Sequence, residues 1–81
     1  MAPDVIEKYV ESKQVTGTPV SIFFKQRSTI KGIFIQDYDY KDMKQRNFWR
    51  IVPESKIEEW QKSHDNSLAK LFCGADFSKL K

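Results

Sequence analysis

The stretch VSIFFKQRSTIKGIFIQDYD, Val20–Asp39, decides the fold. Val20, Ile22 and Phe24 alternate with Ser21, Phe23 and Lys25, the period of two with which a strand turns one face inward. The pattern resumes with Ile30, Gly32 and Phe34 against Lys31, Ile33 and Ile35. β-Branched and aromatic residues favour a pleated surface over a helix. The short polar run Lys25–Thr29 predicts an antiparallel hairpin. Gly32 falls inside the second strand, where glycine weakens pairing unless the chain bends sharply or another backbone comes close. Strong bending is how small sheets close into barrels, so a barrel is expected.

Eighty-one residues support one domain, without room for a second core. A chain of this size buries roughly 60% of its unfolded surface, enough for one compact core of modest stability. Charged residues make up 31% and aromatics 14%, which predicts a polar surface over an ordered interior. No apolar run reaches the ~18 residues of a membrane-spanning helix, so no membrane partner is expected. The opening MAPDVIEKYVE lacks the basic start and apolar stretch of a secretory signal. One cysteine, Cys73, permits no internal disulfide and leaves the usual four-ligand zinc site without its ligands, and a cytoplasmic location is expected.

Outward from the hairpin, Pro3 and Asp4 are helix-start residues, and Val5, Ile6, Tyr9 and Val10 lie on one helical face. This predicts a helix over 4–13, too short to persist alone and therefore docked over an open end of the barrel. Thr16-Gly17-Thr18-Pro19 is turn chemistry. The hairpin strands are placed at 19–25 and 29–37. Residues 36–45, QDYDYKDMKQ, read as a polar excursion beyond the strand tips. A third strand over 47–52 has apolar residues on both faces and is expected either to be central or to meet a partner with one face. Ser55 and Glu58 match a capping box, placing a helix at 55–62 with Ile57 and Trp60 on one face. Fourth and fifth strands follow at 68–73 and 75–80. The expectation is a mainly β, five-stranded, strongly bent antiparallel barrel with two helices.

Readings as an enzyme fail in turn. His64 is the single histidine and sits beside Asp65 in a polar loop, the setting of an ordinary surface pair. Cys73 has no activating neighbour and reads as a small apolar filler. Asp37, Asp39 and Asp42 alternate like oxygen ligands but lack the glycine and terminal glutamate of a calcium loop, and read as solvated. Two Tyr-x-x-x-Lys spacings, Tyr9/Lys13 and Tyr40/Lys44, match a short-chain dehydrogenase pair. That chemistry needs a glycine-rich dinucleotide turn, which three glycines without G-x-G-x-x-G do not supply. No catalytic residue, cofactor or metal is expected.

Several residues resemble the Sm-like family of small five-stranded barrels, related in shape to SH3-like barrels. Val20, Ile22, Phe24, Gly32, Phe34, Asp39 and Asn47 are similar to its first motif, and Phe72-Cys73-Gly74 with Phe77 and Leu80 to its second. Asp39 stands one residue late, the gap to Asn47 is about twice the family's, and Cys73 replaces the motif's arginine. The chain also resembles short bacterial proteins of unassigned function, some labelled short-chain dehydrogenase, a likeness that supplies no mechanism. The Sm-like resemblance implies ring assembly and RNA binding.

The net charge of +3 says little, but its distribution says more. From Ser12 to Gln36 there are Lys13, Lys25, Arg27 and Lys31 and no acid; from Lys41 to Arg50 there are Lys41, Lys44, Arg46 and Arg50 against Asp42. A basic surface around the hairpin and the following loop is suited to phosphates. The leading expectation is a non-enzymatic barrel binding single-stranded RNA or another nucleic acid. Tyr38 and Tyr40 would stack bases, Lys41, Lys44 and Arg46 would meet phosphates, Asn47 would read a base edge, and Cys73-Gly74 would line the same end. The competing assignments are half-buried packing for the tyrosines and a turn position for Asn47. The alternative function is a protein-interaction or homo-oligomerisation module using Phe23, Ile33, Ile35 and Trp49.

Overall fold

The computed structural model describes residues 1–12 and 17–81. Lys13, at the expected end of the first helix, and Thr16, at the start of the expected turn, lie outside them. Five strands form one antiparallel sheet: β1 Val20–Phe24, β2 Ile30–Phe34, β3 Phe48–Pro53, β4 Lys70–Cys73 and β5 Phe77–Leu80, in the order β4-β3-β2-β1-β5. Three α-helices accompany it: α1 Pro3–Ser12, α2 Tyr40–Gln45 and α3 Glu54–Ser63.

The hairpin forms as its pattern dictates. Val20, Ile22 and Phe24 are buried, and Val20 pairs with Gly32 and Ile22 with Ile30. Gly32 also lies opposite Pro53 of β3. A Cβ added to Gly32 would stand 2.5 Å from Ile51 Cγ2 and 2.8 Å from the Val52 carbonyl oxygen. The glycine is there because two strands approach too closely for any side chain. β3 is central, as its two apolar faces require: Trp49 and Ile51 enter the main core, while Val52 joins Ile33 and Ile35 on the opposite face.

The expected barrel is corrected to an open sheet. β4 and β5 sit at opposite ends of the order, yet only the 3-10 turn Gly74–Asp76 separates them in sequence. The sheet must therefore curl until its edges approach. No pairing joins β4 to β5, and a seam remains. The mainly β expectation is corrected as well, since helical residues outnumber strand residues and the architecture is mixed.

Each helix closes a different part of the sheet. In α1 the Ile6 and Val10 side chains, one turn apart, are fully buried with the concave core, whereas Val5 is half exposed. α2 falls in the segment expected to be an irregular excursion. It has no buried residue, so its periodicity leaves no apolar stripe to read. α3 lays Ile57 and Trp60 over Ile33, Ile35 and Val52. Its capping box is not made: the helix begins at Glu54, with Pro53 in the cap position and no side-chain cap bond. At its far end His64 is left-handed with φ 55°, and its N–H donates to the Trp60 carbonyl at 2.7 Å. Among the described residues no helix is long and apolar enough to cross a membrane.

Candidate functional site

The loop end of the sheet carries most of the expected nucleic-acid residues, and folding brings acids onto them. Lys44 of α2 donates to Glu7 and, at 3.2 Å, to Glu11 of α1. Tyr40 is half-buried and donates its hydroxyl to Glu11 at 2.7 Å. The bond to Glu7 holds the Lys44 ammonium above its ordinary range. Tyr40 is pushed well up, first by burial and then by Glu11, while the bonds from Tyr40 and Lys44 hold Glu11 below the usual carboxylate range. Arg46 lies 3.6 Å from Asp42, one helical turn away. Arg50 grips Asp39 with two donors, Nε at 3.1 Å and Nη2 at 2.6 Å, so the solvated reading of Asp39 is corrected. That fork lowers the Asp39 pKa and raises that of Arg50. Among the described residues Lys44, Arg46 and Arg50 at this end are thus each held by a carboxylate: Glu7 and Glu11, Asp42, and Asp39. Of the expected nucleic-acid residues, Tyr38, 91% exposed, and Lys41 point into solvent there without such a partner among the described residues.

Asn47, Cys73 and Gly74 do come together, as a structural joint. Asn47 takes the left-handed conformation, φ 62°, at the turn into β3. Its Nδ2 donates to the Met1 carbonyl at 3.1 Å, and its Oδ1 accepts from Trp49 Nε1 at 2.9 Å. The Gly74 N–H donates to the Asn47 carbonyl at 2.8 Å. A Cβ on Gly74 would strike the Asn47 side chain and come within 2.5 Å of Ile6 Cδ1, so α1 and the β4–β5 turn meet over a bare backbone. Cys73 is a half-buried free thiol at the end of β4.

The residues of the alternative interface are placed elsewhere than expected. Ile33 and Ile35 are buried beneath α3, and Trp49 is buried in the concave core against Phe34 and Tyr40. Phe23 is half-buried, with the Lys79 ammonium 5.8 Å from its ring centroid. Of the expected outer-face patch, Ile33 and Ile35 are covered by the chain's own third helix. Trp60 serves that cover, and its Nε1 donates to Asn66 at 2.9 Å.

The seam between β4 and the hairpin tip is different in character. Two adjoining grooves, about 300 and 410 Å³, share Arg27 and Asp76 in their walls. Lys25 and Phe24 line the first; Ile30, Lys70, Leu71 and Phe72 line the second. The Lys25 N–H donates to the Asp76 carbonyl at 2.9 Å, pinning the hairpin tip to the 3-10 turn. Lys25, Arg27 and Lys70 are exposed, and among the described residues none lies within ion-pair distance of a carboxylate. A wider apolar hollow of about 510 Å³ lies beside α1 at Val5, Tyr9 and Leu80, but Asp4 and Lys8 balance its charge. Among the described residues no group of three His, Cys, Asp or Glu is placed to hold a metal.

No protein-family model, curated protein or solved structure matches this chain. The motif residues are therefore judged by what they do here. Asp39, Asn47 and Gly74 each have an internal task, and none presents an unpaired polar group outward. Sequence reading noted Lys25 and Arg27 as basic but missed their company. Phe72 and Lys70 lie more than forty residues further along the chain, and only the curl of the sheet makes them neighbours.

Proposed function

We propose that this protein is a non-enzymatic binding module for single-stranded nucleic acid, and that the strand lies along the seam instead of the loop end. The observation that carries the proposal is the charge balance after folding. At the seam Lys25, Arg27 and Lys70 are unpaired among the described residues and share their grooves with one carboxylate, Asp76, whereas Lys44, Arg46 and Arg50 at the loop end are already held by carboxylates. A single strand bound by a small β module needs cations along its backbone and flat surfaces for its bases. The seam offers both within grooves of nucleotide size. The strand order and the short turn between β4 and β5 support reading the fold as an Sm-like or SH3-like barrel opened along one side.

Three phosphate contacts predict a slope of log affinity against log salt of about −2 for a single strand. Affinity for a short fluorescent oligonucleotide would then fall roughly fifteen- to twentyfold between 50 and 200 mM salt. Lys25→Glu with Lys70→Glu abolishes the binding. Salt-independent binding, or binding unaffected by these changes, would refute the proposal. One observation favours a second reading, a protein-interaction module. β4 ends the sheet with one backbone edge unpaired and Leu71 46% exposed beside it. Concentration-dependent self-association indifferent to oligonucleotide would support that reading instead.

A further inference from the structure

We infer that Arg27 is a base-stacking platform for an unstacked nucleobase, with the adjoining phosphates taken by Lys25 and Lys70; this rests on the nucleic-acid reading above. The Arg27 guanidinium carbon lies 4.8 Å from the Phe24 ring centroid and 5.9 Å from that of Phe72. The two rings stand 5.9 Å apart at 44° and are themselves held: Phe24 is buried and meets Phe77 edge-on at 5.4 Å. Two rings from distant strands thus seat one side chain of a hairpin tip. No carboxylate among the described residues lies close enough to pair with that cation. Arginine is the planar cation, able to rest one face on a ring and offer the other to a second flat group while its N–H edge remains free. It forms part of the wall of both grooves, with Lys25 lining one and Lys70 the other. A base on Arg27 would therefore have a cation on either side for its 5′ and 3′ phosphates. Asp76, which lines both grooves, is the acceptor available to an exocyclic amino group of that base.

The chemistry distinguishes this from simple anion capture. Polyphosphate and polyglutamate match the charge of the seam but have no planar group to stack. Arg27→Lys keeps the charge and removes the plane. In fluorescence anisotropy with a short single-stranded DNA, Arg27→Lys is expected to weaken binding about tenfold, within the range for one stacked base. Its salt slope should stay that of the wild type. Competition by polyphosphate is expected to be the same for both proteins, as is affinity for an oligonucleotide with abasic sites throughout. An unchanged thermal midpoint for Arg27→Lys establishes that the comparison is between folded proteins. Equal oligonucleotide binding by the two proteins, with loss in Lys25→Glu/Lys70→Glu, overturns the platform and leaves the seam standing. An equal loss of oligonucleotide and polyphosphate binding, or polyglutamate competing as well as the oligonucleotide, also overturns it. If the wild type binds no strand even at low salt, both the platform and the proposed function fall.

Discussion

Replacing Gly32 by alanine tests the packing on which the curl of the sheet depends. The added methyl would stand 2.5 Å from Ile51 Cγ2 and 2.8 Å from the Val52 carbonyl oxygen. The first of these is a side-chain methyl that rotates at some cost. The second is backbone in the central strand, and no rotamer change removes it. Overpacking of this kind costs typically 1–3 kcal/mol, and the backbone contact places the change in the upper part, about 2–3 kcal/mol. Loss of glycine's freedom in the unfolded chain offsets about 0.4–1 kcal/mol. The net destabilisation is therefore about 1–2.6 kcal/mol. For a domain of this size that lowers the thermal midpoint by roughly 4–21 °C. Circular dichroism melts and urea titrations measure it, with Lys31→Ala, an exposed neighbour, expected to stay within about 0.5 kcal/mol of wild type. A Gly32→Ala protein melting within 2–3 °C of wild type would refute the close approach of β2 and β3.

Two further outcomes follow from the loop end. Asn47→Ala forces a left-handed alanine, at about 1–2 kcal/mol, and leaves the Trp49 indole N–H unpaired, at about 1–3 kcal/mol. Asn47→Gly loses the same bonds without the backbone strain, so chemical denaturation should show it about 1 kcal/mol less destabilised than the alanine variant. Stability should also fall in acid. Glu11 and Asp39 have folded pKa values below their unfolded ones, so their contribution is complete above the unfolded values, near pH 4, and is lost as pH falls through the folded values. Glu11→Gln with Asp39→Asn should be less stable at neutral pH and show a flatter loss between pH 6 and pH 3 in denaturant titrations.

The hairpin, the central strand and the third helix were legible because each carries its own local pattern. Alternation marks β1 and β3, and Ile57 with Trp60 mark one face of α3. Gly32 left a sharp bend or a close approach open, and the structure supplies the close approach. What escaped reading lacked such a pattern. α2 buries no residue, so nothing in its spacing separates it from a loop. Ser55 and Glu58 matched a cap that the chain does not use, because the cap position falls two residues earlier, at Pro53. The loop cations were legible as charge, but their partners were not. Glu7 and Glu11 lie more than thirty residues away from Lys44 and meet it only when Ile6 and Val10 dock. Non-local pairing decides which cations are left over, and so the seam emerged only from the fold.

The most direct test of the seam is a map of backbone amide shifts as a short single-stranded oligonucleotide is titrated into labelled protein at low salt. The account predicts that changes concentrate at residues 25–30 and 70–76, while residues 38–47 stay in place. Changes centred on Tyr38, Lys41 and Asn47, with the hairpin tip silent, would contradict it.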